Sequence, residues 1–111
     1  MWLDSTLDKC IVTRYTHPEV IRSFKHAGLE KFFTTGSKAG IQPAHAQRLY
    51  RQLFTLNEAE NVQEMNLSGW HLHQLQGDLA GHWSVRVSGN WRMTFRFEGD
   101  DVILVDYRDY H

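Results

Sequence analysis

The stretch from His71 to His111, HLHQLQGDLAGHWSVRVSGNWRMTFRFEGDDVILVDYRDYH, constrains the fold more than any other part of the chain. Trp83, Val85 and Val87 alternate with Ser84, Arg86 and Ser88. Further on, Trp91, Met93, Phe95 and Phe97 alternate with Arg92, Thr94, Arg96 and Glu98. Strand side chains point to opposite faces in turn, so each run predicts a strand with one apolar and one polar face. Gly89-Asn90 and Gly99-Asp100 are hairpin turn signals. Another strand is expected over Leu72 to Leu75, after the turn Leu67-Ser68-Gly69 and before Gly77-Asp78 and Gly81. The last strand, Val102 to Tyr107, contains a Val-Ile-Leu-Val run that predicts burial on both faces. Connections this short make neighbouring strands antiparallel.

Upstream, the apolar spacing changes from two to between three and four. Val20 to Lys25 alternates and is read as a short strand. Leu29, Phe32 and Phe33 predict a helix over Leu29 to Thr35, closed by Gly36. A longer helix is expected from Pro43, which suits a first turn, to Ala59. Its apolar stripe reads Ala46, Leu49, Tyr50, Leu53, Leu56 and Asn57, with Arg48, Arg51 and Gln52 between. The two helical segments are expected to cover one face of the sheet. The result is an α/β (α+β) fold: two N-terminal helices on a small, twisted, mainly antiparallel sheet. Residues 1–19 lack such patterning and are read as an extension outside a 20–111 domain. We expect translation to begin at a GTG codon for Val20.

Length bounds this to one domain with one modest core, at 111 residues and 41% hydrophobic content. Cys10 is the single cysteine, so no internal disulfide forms. No apolar run nears the roughly 18 residues of a membrane span, and the first residues do not read as a secretory signal. A cytoplasmic location is expected. The net charge of −1 argues against bulk electrostatic binding of nucleic acid, so any such role rests on a local cluster of Arg and His.

Those clusters can be placed. Arg92, Thr94 and Arg96 share the polar side of one strand, with Arg86 on the polar side of its neighbour. Guanidinium forks suit phosphate oxygens, although exposed arginines most often only solubilise. His71 and His73 have a metal-ligand spacing that His82 could complete, but Cys10 is remote and no carboxylate–histidine pattern accompanies them; no metal or other cofactor is expected. Asp109, Tyr110 and His111 follow directly from the last strand. Tyr110 and His111 can move protons and Asp109 can tune either. A base, a cation at the phosphorane and an acid for the leaving oxygen are what metal-free RNA cleavage needs.

With these residues in view, the chain from about Val20 to His111 resembles the HigB toxins, a branch of the RelE/ParE superfamily of toxin–antitoxin toxins. The resemblance rests on IRSFKHAGLEKFF, LHQLQGDLAGHWSVRVSGNWRMTFRF and the closing DYRDYH. It implies a RelE-like fold and an endonuclease that cuts mRNA in the ribosomal decoding site. It also implies roles for single residues. His73 matches the histidine of the family's LHxLxGD segment. Arg92 matches the arginine of NWR, at the scissile phosphate. Asp109, Tyr110 and His111 match the closing acid, tyrosine and histidine. Gln76 stands where several relatives carry a lysine, and Arg86 or Arg96 could compensate for that cation. The implied partners are the ribosome, mRNA and a helix-turn-helix antitoxin of HigA type. The same superfold also includes toxins that inhibit DNA gyrase without nuclease residues, and a degenerate toxin that only binds antitoxin is a third reading.

Overall fold

The computed structural model describes residues 20–109. What the sequence suggested for residues 1–19, and for Tyr110 and His111, lies outside the described residues.

Two helices form, as expected. α1 spans Ala27–Thr35, starting slightly earlier than its apolar spacing suggests. The reason is a cap: His26 is extended and its Nδ1 accepts the Leu29 N–H at 2.9 Å. Gly36 closes the helix in the left-handed region, at φ 83°, and its N–H bonds to the Phe32 carbonyl at 2.9 Å. α2 spans Ala46–Glu58 and is preceded by a 3-10 turn, Pro43–His45.

The buried stripe of α2 differs from the expected one in two places. Tyr50 is 57% exposed, while Gln52 is completely buried beside Leu49, Leu53 and Leu56. Successive residues turn by about 100° round a helix. Gln52 therefore lies about 40° beyond Leu56 and Tyr50 about 60° beyond Leu53, on opposite margins of the stripe, so helix geometry alone does not decide which of them is buried. Tyr50 instead stacks on Phe54, itself 54% exposed, with ring centroids 6.3 Å apart.

The sheet has four strands in the order β1 (His73–Gln74), β2 (His82–Ser88), β3 (Trp91–Glu98) and β4 (Asp101–Asp109). All neighbours are antiparallel. Gly89 at φ 54° and Gly99 at φ 65° open the two hairpin turns. Val85, Met93 and Phe95 from the sheet and Leu29, Leu49, Leu53 and Leu56 from the helices form one fully buried core. Among the described residues, no helix is long and apolar enough to cross a membrane.

Two details depart from simple alternation. Val20 to Lys25 does not make a regular strand; Ile21 and Phe24 form isolated parallel bridges to Val102 and Val105 of β4. The Asn57 side-chain oxygen holds this segment by accepting the Val20 and Ile21 N–H groups at 3.1 and 3.2 Å. The Val-Ile-Leu-Val run is not buried on both faces. Val102 and Val105 are fully buried, whereas Ile103 and Leu104 are only partly so. The register slips between Thr94–Asp106 and Arg96–Ile103, leaving Leu104 at φ 57° in a bulge. A left-handed leucine costs about 1–2 kcal/mol. Its N–H is satisfied by the Ser23 hydroxyl at 2.9 Å.

Candidate functional site

The helices cover one face of the sheet and leave the other to solvent. Register aligns the polar residues of that open face. His73 sits opposite Ser84, Ser84 opposite Thr94, and Arg86 opposite Arg92. Arg92 in turn lies opposite Arg108 of β4. Three arginines thus stand in one row across β2, β3 and β4. Like charges placed directly opposite in a sheet repel, so an anion lying against Arg86 and Arg92 would ease that pair. Ser84 and Thr94, expected at the surface, are 4% and 2% exposed. Both side chains are short, and Ser84 lines a depression on this face.

A depression of about 300 Å³ opens on this face, lined by His71, His73, Leu75, Ser84, Arg86 and Arg92. Arg92 is half-buried, and its Nη1 donates to the carbonyls of Gly89 at 2.8 Å and Trp91 at 3.2 Å. These bonds tie the guanidinium to the β2–β3 hairpin turn. His71 enters from a different element. It has φ 50°, in the left-handed region, directly after Gly69 at φ 85° and Trp70. The Trp70 carbonyl accepts the Arg86 N–H at 2.7 Å, which fixes this turn against β2.

The remaining candidates are spread more widely. Asp109 is exposed in β4, opposite Trp91 and one register step from the Arg92–Arg108 pair. Arg96 lies two steps along β3 from Thr94's partner row, opposite His82, and does not line the depression. Gln76 is exposed at the N-cap position of the 3-10 turn Gly77–Leu79, without a side-chain capping bond, and is also outside the lining. Tyr110 and His111 are outside the described residues. Among the described residues no three His, Cys, Asp or Glu side chains gather into a metal-binding group.

Ser84 lines the cleft although its spacing alone does not single it out, and His71 enters as a cleft residue rather than as half of a metal-ligand pair. The signal for Ser84 was its place on the polar face with Arg86. His71 could not be aimed from spacing, because its direction depends on one left-handed dihedral.

Behind Arg92, on the helix side, lies the support. Trp91 packs on Tyr107 with ring centroids 4.7 Å apart. The Tyr107 hydroxyl is 2.7 Å from Nδ1 of the buried His45 and accepts the Gln42 N–H at 3.4 Å. Burial pushes the Tyr107 phenol above its usual value, and the Gln42 hydrogen bond partly offsets this.

The described cleft brings two arginines of the sheet, Arg86 and Arg92, together with His73 of β1 and His71 of the preceding turn. It can bind an anion and offer proton-transfer groups beside it. Known proteins agree in kind. The chain is 38% identical over 92 residues to a Proteus vulgaris protein named endoribonuclease HigB, covering 83% of this chain and all of the relative. It is 30% identical over 90 residues to a Vibrio cholerae serotype O1 protein named toxin HigB-1, covering 79% of this chain and 94% of that protein. Residues 22–111 match the family described as RelE-like toxin of type II toxin–antitoxin system HigB. A toxin of a type II system has an antitoxin as its partner. With family, length and fold in accord, this chain belongs to the HigB-like toxins, the RelE-like toxins of type II toxin–antitoxin systems.

Proposed function

We propose that this toxin is a ribosome-dependent endoribonuclease that cuts mRNA in the cytoplasm by attack of a ribose 2′-hydroxyl on the adjacent phosphate, without a metal. The row Arg86–Arg92–Arg108, with His73 opposite Ser84 two residues along β2 from Arg86, carries this reading. A phosphorane gains negative charge relative to the diester, so pre-positioned guanidiniums stabilise the transition state more than the ground state. Arg92, pinned to its hairpin, contacts the scissile phosphate. One proton-transfer group takes the 2′-hydroxyl proton and another protonates the departing 5′-oxygen. His73, Tyr110 and His111 fill these roles, and Asp109 orients or tunes its two C-terminal neighbours. Arg86 adds charge within the cleft, while Arg96 and Gln76 contact RNA further out. The Proteus vulgaris relative's name supports nuclease activity.

A protein of net charge −1 is poorly equipped to capture free RNA at long range. The ribosome would hold the message in place, leaving the local arginine row to act on one phosphate. The antitoxin is read as a helix-turn-helix protein of HigA type. The exposed Tyr50–Phe54 pair on α2 offers it an apolar anchor.

The test uses purified protein, mRNA-programmed ribosomes and free mRNA. Cleavage at codon-phased positions only with ribosomes supports the reading. Intact mRNA in both samples, at protein levels that arrest growth, overturns it.

A further inference from the structure

The cleft does not end at Arg86. Two more depressions continue from it, each sharing residues with the last. The first, about 290 Å³, shares His71 and Arg86 with the cleft and adds Arg48, Gly69 and Gly89. The second, about 180 Å³, shares Arg48 and adds Ala44, Gln47, Arg51 and Trp70. The three form one surface path from β3 to α2. Arg92, Arg86, Arg48 and Arg51 occur along it with His73 and His71, and no residue lining it is acidic. In a chain of net charge −1, such a path is a concentrated exception.

The α2 end of the path is built from one helix stripe. Ala44, Gln47, Arg48 and Arg51 follow at spacings of three and four, so they lie on one side of α2 and its preceding turn. Arg48 is half-buried and fixed: Nη2 donates to the Gly69 carbonyl at 2.6 Å and Nε to the Arg86 carbonyl at 3.3 Å. A guanidinium has five N–H donors, so others remain for an anion. Arg51 is exposed at the outer end.

We propose that the substrate RNA strand continues out of the cleft along this path, with Arg48 and Arg51 of α2 binding phosphates flanking the cut. This rests on the nuclease reading for the identity of the strand. A groove with cations at intervals along one line suits a single-stranded backbone, which offers phosphates at intervals and asks for no base readout.

Arg51 is the residue to change, because Arg48 also holds the backbone in place. Binding is followed by fluorescence anisotropy over a series of salt concentrations. The probes are uncleavable 2′-O-methyl RNA, one trinucleotide and one of about twelve nucleotides, with cleavage on programmed ribosomes measured separately. Each phosphate contact on a single strand contributes about 0.7 to the log–log salt slope. We expect Arg51→Ala to lower the slope for the longer probe by about that amount and leave the trinucleotide unchanged. Arg51→Glu should weaken the longer probe further, and Arg51→Lys should restore most of the loss. Wild-type affinity and slope for both probes in Arg51→Ala and Arg51→Glu overturn the path. So does a loss confined to ribosome binding, which would assign Arg51 to ribosomal RNA. A wild type that shows the slope difference but cuts nothing keeps the path and removes the nuclease reading.

Discussion

The Nε2 of Gln52 donates a hydrogen bond of 2.8 Å to the main-chain carbonyl of Arg86. This joins the middle of α2 to the strand that carries the cleft. The carbonyl sits where register slips between Arg86 and Ser88, so the ladder there is irregular. This contact accounts for the Nε2 of a buried amide in an otherwise leucine-lined stripe, while its Oε1 is buried without a hydrogen-bond partner among the described residues. Gln52→Leu should destabilise the protein by about 1–3 kcal/mol, toward the lower end because Arg48 also reaches the same carbonyl. The urea midpoint checks the stability. Cleavage rate should fall in folded protein as well, since the β2 backbone at Arg86 loses one of its two tethers to α2.

Tyr107→Phe removes the partner of the buried His45 Nδ1, and should cost about 1–3 kcal/mol at neutral pH. The pH dependence carries a second signature. The folded state keeps the phenol protonated to higher pH than the unfolded chain does. In that window the folded state binds more protons, so stability falls as pH rises. In the wild type this contribution is complete below about pH 10, the ordinary phenol value, and is lost as pH climbs through the raised one. Thermal unfolding between pH 8 and 11 should show a shallower decline in Tyr107→Phe.

Gly40→Ala tests a backbone approach. A Cβ there would lie 2.9 Å from the Cα of Gly28 in α1. Backbone on both sides leaves no flexible side chain to move aside. A cost of about 1–3 kcal/mol is expected, read from the shift in urea midpoint. Gly36→Asn, at an open left-handed position, should cost far less.

Arg86 and Arg96 separate the cleft from its surroundings. Arg86 lines the depression and faces Arg92, whereas Arg96 faces His82 outside it. Arg86→Ala should lower ribosome-dependent cleavage by roughly tenfold or more, consistent with about 1.4 kcal/mol or more of lost transition-state stabilisation. Arg96→Ala should lower it severalfold at most. Cleavage rates at saturating ribosomes compare the two.

Much of the sheet was legible because alternation and glycine-led turns are local signals. The strand pairings follow from these signals, but Arg86 faces Arg92 only through the irregularity between Arg86 and Ser88, which alternation does not show. What the sequence hid is non-local. Leu104 reads as one more buried aliphatic, yet it occupies a bulge that Ser23 completes from the far end of the domain. Gln52 reads as a polar spacer, yet a carbonyl in β2 draws it inward. Arg48 is indistinguishable in sequence from the exposed Arg51, and only the fold brings it to Gly69 and Arg86. The paired parallel bridges of Ile21 and Phe24 to β4 likewise have no local signature.

Loss of Arg92 distinguishes the proposed ribosome-bound nuclease from a toxin that acts by binding. The direct measurement is induced expression of wild type and Arg92→Ala, following growth and mRNA 5′-ends together. Growth arrest with new codon-phased ends is expected in the wild type, with loss of both in Arg92→Ala, a drop of about 10²–10³ in cleavage. Arrest without new ends, unchanged in Arg92→Ala, would contradict it and point to a toxin that acts by binding.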